Sequence, residues 1–180
     1  MGVLKLATLD PSLVTITGDY ILYNNEPLNL QTNFQSIRPY GLPKKSEYNK
    51  TDESRMYYQV PITDNEVQTI IKDLDKLCSS KLQAYVNMLK EGKNGNPPSI
   101  KIKFTKETFF TLVDQKTNDL TVLEYDNIDD LDKKMRFYYD FRFLISIRLW
   151  RYMGKSGVTL LASHVQAIVK NSQPVEKDFI

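Results

Sequence analysis

The chain has 180 residues, with 24 Lys and Arg against 22 Asp and Glu and a formal net charge of +2. That length builds a sizeable core in one domain. The near-balance of charge excludes a globally basic polyanion binder, so any positive charge that matters must be local. One cysteine, Cys78, and one histidine, His164, exclude an intrachain disulfide and leave no ligand set for a structural zinc.

The N-terminal MGVLKLATLDPS holds too short an apolar run for a signal peptide, and Leu6 stands where a myristoylation motif wants Ser or Thr. No apolar run reaches the roughly 20 residues that a membrane span needs. Residues 13–31 alternate as strands, and Asn24-Asn25-Glu26-Pro27 supplies turn chemistry between them, which predicts a hairpin. Residues 32–54 are polar and irregular and predict a long surface loop. Arg38, Tyr40, Lys44 and Lys45 interleave charge with aromatic rings there.

The segment RMYYQVPI predicts a short strand that Pro61 ends. Thr63 with Glu66 three residues later reads as a capping box. Apolar residues at Val67, Ile70, Ile71, Leu74 and Leu77, continued by Leu82, Tyr85, Val86 and Leu89, predict one helix running to about Lys90. Gly92, Gly95 and Pro97-Pro98 then forbid its continuation. Cys78 lies within that pattern and reads as packing.

Ile100, Ile102 and Phe104 alternate with Lys101 and Lys103, as in a half-buried strand with a basic outer face. TFFTLVD and LTVLEY predict two more strands around a polar turn, and the acidic DNIDDLDKK a short helix or loop. Two long strands follow, joined at Gly154-Lys155-Ser156-Gly157. In the first, Phe137, Tyr139, Phe141, Phe143, Ile145, Ile147 and Leu149 share one face, since strand side chains alternate with period two. Arg136, Tyr138, Arg142, Arg148, Trp150 and Tyr152 share the other. In the second, strict alternation puts Val158, Leu160, Ala162, His164, Gln166 and Ile168 on one face. Thr159, Leu161, Ser163, Val165, Ala167 and Val169 then fall opposite, and a strand so apolar on both faces is expected to be central.

Three chemistries can be set aside. Gly154-Lys155-Ser156 ends like a phosphate-binding loop, but Leu149 stands where that loop wants its first glycine, and the segment joins strands instead of opening a helix. Asp126, Asp129, Asp130 and Asp132 lack the central glycine and terminal Glu of a calcium loop. A lone His164 in mid-strand makes no catalytic triad, so the chain is not expected to be an enzyme. What remains is a face that mixes cations with aromatic rings, the composition that pairs with phosphates and stacks on bases. Its candidates are Arg136, Tyr138, Arg142, Arg148, Trp150 and Tyr152, with Arg151 near the strand end and Lys155 at the hairpin tip. Lys101, Lys103 and the Arg38, Tyr40, Lys44, Lys45 loop join them.

From 55 to 170 the order of elements resembles OB-fold single-stranded-DNA-binding proteins of phages and large DNA viruses. The closing strand carries that likeness through Gly157, Val158, Leu160, Val165 and Val169. The resemblance implies a mainly β (α+β) chain: an OB-like β-barrel with one substantial helix between strands and an N-terminal β extension. The order of elements reads as a single domain over 1–180, with a hairpin and loop at 1–54, the core that carries the resemblance at 55–170 and a flexible tail at 171–180. The resemblance also implies binding of single-stranded DNA, or RNA, without sequence specificity in replication, repair or recombination, and no cofactor. Further implied partners are a second copy of the chain or replication proteins; the single cysteine points to an intracellular, reducing compartment (host cytoplasm or nucleus for a virus). The alternative is a structural or adaptor protein, such as a viral assembly component, that uses the sheet surface for protein contacts.

Overall fold

The computed structural model describes residues 3–33, 35–36, 44–45, 56–114, 116–135 and 140–168. Short strands open the chain: β1 (Leu4–Lys5), β2 (Val14–Thr17), β3 (Tyr20–Tyr23), β4 (Glu26–Pro27), β5 (Asn29–Gln31), β6 (Gln35–Ser36) and β7 (Lys44–Lys45). Then come β8 (Met56–Pro61), helix α1 (Asn65–Lys81), β9 (Tyr85–Val86), β10 (Ser99–Phe104), β11 (Phe109–Val113), β12 (Leu120–Val122) and helix α2 (Ile128–Met135). The long pair β13 (Asp140–Tyr152) and β14 (Lys155–Ile168) completes the described chain. Among the described residues the protein is thus mostly β, with two α-helices and sheets of mixed direction.

β2, β3 and β4 form a small sheet of their own, turned at Gly18-Asp19 and again at Asn24-Asn25. Both of those asparagines take positive φ, 49° and 65°, the mirror-image turn that matches strand twist. The expected hairpin is present, with one more turn than the sequence signalled. All other described strands join one sheet, in the order β1-β5-β13-β14-β10-β8-β7, with β6, β9, β11 and β12 attached beside that path.

β14 is central, as its two apolar faces predicted. β13 lies antiparallel along one edge. The other edge is taken in turn by β9 at Ser156 and Gly157, β10 at Leu160 and Leu161, and β11 from His164 to Ile168, all parallel. The strict alternation expected for β14 is corrected by a bulge. Leu144 pairs with His164 but Ile145 with Ala162, so Ser163 is the extra residue. A bulge of this kind reverses the inside–outside parity beyond it. Val165 and Ala167 therefore point inward with Leu160 and Ala162, and His164 and Gln166 point outward. The bulge sits in the gap between β10 and β11. The buried Thr108 hydroxyl fills that gap by donating to the Ala162 carbonyl at 2.8 Å.

The inner face is the core. Phe141, Phe143 and Ile145 of β13 are buried, as their spacing predicted, and meet Ile102, Phe104, Met56 and Tyr58 of β10 and β8. The Tyr58 ring lies 5.1 Å from Phe104 and 5.5 Å from Phe143, centre to centre. Burying each such ring contributes about 1.5–3 kcal/mol. α1 adds Val67, Ile71, Leu74 and Cys78 to the same core, and α2 adds Ile128, Leu131 and Met135.

Two expectations about α1 are corrected. Its cap is Asp64, not Thr63: the Asp64 carboxylate accepts from the Glu66 amide at 2.8 Å and the Val67 amide at 3.4 Å. It ends at Lys81, not near Lys90. Ala84 takes φ 46°, which no helix tolerates, and the chain turns into β9. The buried carboxylate of Asp75 holds that turn. It accepts from the Tyr85 hydroxyl at 2.7 Å, the Met88 amide at 2.8 Å and the Leu89 amide at 3.1 Å. The apolar residues 82–89 keep helical spacing yet pack as an irregular strap.

Candidate nucleic-acid interface

Strand register decides which candidates share a surface. Along β13 the outward positions are Asp140, Arg142, Leu144, Ser146, Arg148, Trp150 and Tyr152. Paired with them on β14 are Ile168, Gln166, His164, Leu161, Thr159, Gly157 and Lys155. β10 extends this face through Lys103, paired with Leu161, and Lys101 beside it. β8 extends it through Tyr57 and Gln59, and β7 through Lys44, which pairs with Tyr57. Arg148, Lys101, Lys103, Lys44, Tyr152 and Lys155 are all exposed.

A groove of about 490 Å³ opens on this face where β10 and β14 diverge, before their pairing begins at Ile102 and Leu160. Trp150, Val158 and Thr159 line one side, Tyr57, Gln59, Lys101 and Lys103 the other. The strap after β9 closes one end with Val86, Asn87, Met88 and Lys90. The strap is tied to β10 by paired backbone bonds between Lys90 and Ser99, at 2.8 and 2.9 Å.

Trp150 is half-buried because its indole lies over Gly157. A Cβ at Gly157 would come within 2.4 Å of the indole Cζ2. Only glycine leaves room for the ring in that position. Lys101 sits 3.9 Å from the centre of the Tyr57 ring, a cation–π contact that fixes its ammonium at the groove wall. Tyr57 is buried beneath it, so the ring supports the lysine from below.

Beyond the bulge the same face carries a second cluster. Arg142 is half-buried and donates from Nε to Gln166 Oε1 at 2.6 Å. Burial lowers the Arg142 pKa from its usual value, yet an arginine starting that high keeps its charge. The His164 ring nitrogen Nε2 lies 2.8 Å from the Thr111 hydroxyl. Burial first, and the charge of Arg142 second, hold His164 below the ordinary imidazole pKa of 6.5.

Other candidates sit elsewhere. Arg151 has the opposite parity, and its guanidinium is engaged by the Asp19 carboxylate and by the Gly18 carbonyl at 3.0 Å, on the β2–β3 turn. Tyr152 and Lys155 flank the hairpin tip. The turn itself is Met153-Gly154, at φ 47° and 75°, while Lys155, Ser156 and Gly157, expected in the turn, are strand residues. Arg136, Tyr138, Arg38 and Tyr40 lie outside the described residues, and of Lys45 only its backbone pairing with Met56 is described.

Sequence reasoning missed Tyr57, Thr159, Asn87 and Lys90. The alternation in MYYQVP places Tyr57 and Gln59 on one face, a signal that was present. The strap residues carried none, because a helix was expected there.

Of the acidic residues set aside earlier, Asp129, Asp130 and Asp132 lie in α2 and Asp126 just before it. Asp130 receives the Asp126 amide at 3.1 Å and pairs with Lys134 at 2.8 Å, which lowers its pKa. Cys78 is buried, and burial pushes its thiol up to about 11. Among the described residues no group of His, Cys, Asp or Glu is placed to hold a metal ion, and no helix is long and apolar enough to cross a membrane.

No protein-family model and no curated protein matches the chain. Among solved structures it is similar to the crystal structure of gp2.5, a single-stranded DNA-binding protein encoded by bacteriophage T7. The identity is 12% and the TM-score 0.44, over 83% of this chain and 96% of that one.

Proposed function

We propose that the protein binds single-stranded nucleic acid, DNA in the first instance, without sequence specificity. The observation that carries this is the groove, where an indole resting against Gly157 faces Lys101 and Lys103 across a channel edged by Lys90. An indole offers a stacking surface that accepts any base, and the ammonium groups neutralise backbone phosphates without reading sequence. Arg148 extends the cationic edge along β13, and Lys155 and Tyr152 extend it to the hairpin tip. Arg136, Tyr138, Arg38, Tyr40, Lys44 and Lys45 contribute further phosphate and base contacts on this reading, while Arg151 braces the β2–β3 turn. The residues 55–170 act as an OB-like barrel core within one domain, serving replication, repair or recombination.

A second reading, an adaptor that binds protein, draws on the hairpin tip. Tyr152 is 73% exposed and Met153 83%, both apolar and reachable. One titration separates the two. Trp150 is the chain's only tryptophan. Adding oligo-dT at low salt quenches its emission if a base stacks on the indole, and Trp150→Ala weakens binding roughly tenfold. Unchanged emission at saturating oligonucleotide removes Trp150 from the interface. No binding at low salt favours the adaptor.

A further inference from the structure

The bulge at Ser163 has an effect on the outer face. It turns His164 outward, and β11 pairs Phe109 with His164 at that point. Phe109 is 48% exposed, and its ring meets the His164 ring edge-on, centres 5.2 Å apart. Thr111 holds the imidazole, and Gln166 holds Arg142 one register step along. An aromatic ring is thus presented to solvent beside a braced guanidinium on the face that carries Trp150. Had Ser163 been paired in strict alternation instead of bulged, Val165 and Ala167 would occupy that face.

We infer that Phe109, flanked by His164 and Arg142, forms a second base-stacking contact for the same single strand that enters the Trp150 groove. This rests on the function proposed above. From Gly157 to His164 is about 20 Å at the usual strand rise, so several nucleotides bridge the two rings. Between them lie Arg148, Thr159 and Leu161, which keep the track open and cationic. Phe109 also lines a neighbouring cleft of mixed charge, with Lys106, Glu124 and Asp126. The occupant is a nucleic-acid strand because the surface is continuous with the groove and its charge complements phosphate.

The test compares a twelve-nucleotide oligo-dT with a trinucleotide too short to reach both rings. With the twelve-mer, Phe109→Ala weakens binding about tenfold in anisotropy titrations, the loss typical of one stacked base. With the trinucleotide, Phe109→Ala leaves the quenching curve of Trp150 unchanged. Phe109→Leu, which keeps apolar bulk and lacks the ring, gives the same pattern and covers the case of a misfolded alanine variant. Unchanged twelve-mer affinity in both variants overturns the second contact and leaves the groove standing. Equal weakening for both lengths also overturns it, since Phe109 would then act on the groove itself. A wild-type protein that binds neither oligonucleotide ends both the proposed function and this inference.

Discussion

A methyl group on Gly157 would collide with the Trp150 indole at 2.4 Å. The indole is the outermost of the two partners, so it moves and the strands do not. Gly157→Ala is therefore expected to shift the emission of Trp150 and to weaken oligonucleotide binding, with stability changed by no more than about 1 kcal/mol. A variant that binds normally with unshifted emission would show that the indole's contact with Gly157 is not needed. His164 gives a second handle. Its pKa lies below 6.5 in the fold, so the unfolded chain takes up the proton first as pH falls. Stability from this residue is unaffected above about pH 6.5 and declines as pH drops through the folded pKa. The carboxylates with lowered pKa, Asp10, Asp114 and Asp130, act in a more acid range, below their usual 3.8. Urea denaturation of His164→Gln between pH 7 and 5 should show a shallower decline than the wild type; parallel curves would assign the decline to other groups.

The strap from Tyr85 to Leu89 depends on one side chain of α1. Asp75→Ala strands the Tyr85 hydroxyl and the Met88 and Leu89 amides in a buried setting. The expected loss is about 3 kcal/mol or more in urea denaturation, with weaker oligonucleotide binding because the strap walls the groove. Asp75→Asn, which keeps an acceptor oxygen, should lose less. Equal stability of Asp75→Ala and wild type would contradict the structural role. This is also where the sequence was least legible. Residues 82–89 repeat the apolar spacing of α1, and what breaks the helix is a long-range carboxylate and a positive φ at Ala84 that no local pattern announces. The alternation of β13, by contrast, was written in period two: Phe141, Phe143 and Ile145 are buried as that period requires and Ile147 and Leu149 half-buried, while Phe137 and Tyr139 lie outside the described residues. The bulge at Ser163 was not legible, since it answers to the step from β10 to β11 along the neighbouring edge. The site followed the same division. Trp150, Arg148, Lys101 and Lys103 could be placed from alternation, while Tyr57, Thr159 and Lys90 join them only through strand pairing distant in sequence.

The molecule as a whole is nearly neutral, at +2, yet one face of its main sheet gathers Arg142, Arg148, Lys101, Lys103, Lys44 and Lys155, with Asp140 at the far end. Such segregation gives a local field without a basic protein, and its reach is limited to about a Debye length, roughly 10 Å at 0.1 M salt. Binding driven by that face must release counterions from the strand, whereas contacts made by the apolar hairpin tip would release few. Fluorescence anisotropy of a labelled oligo-dT at about 50 and 200 mM salt measures the difference directly. If three phosphates are neutralised, affinity falls roughly twentyfold between those conditions. Affinity that stays constant across them, or no binding at the lower salt, would contradict a single-strand interface on this face.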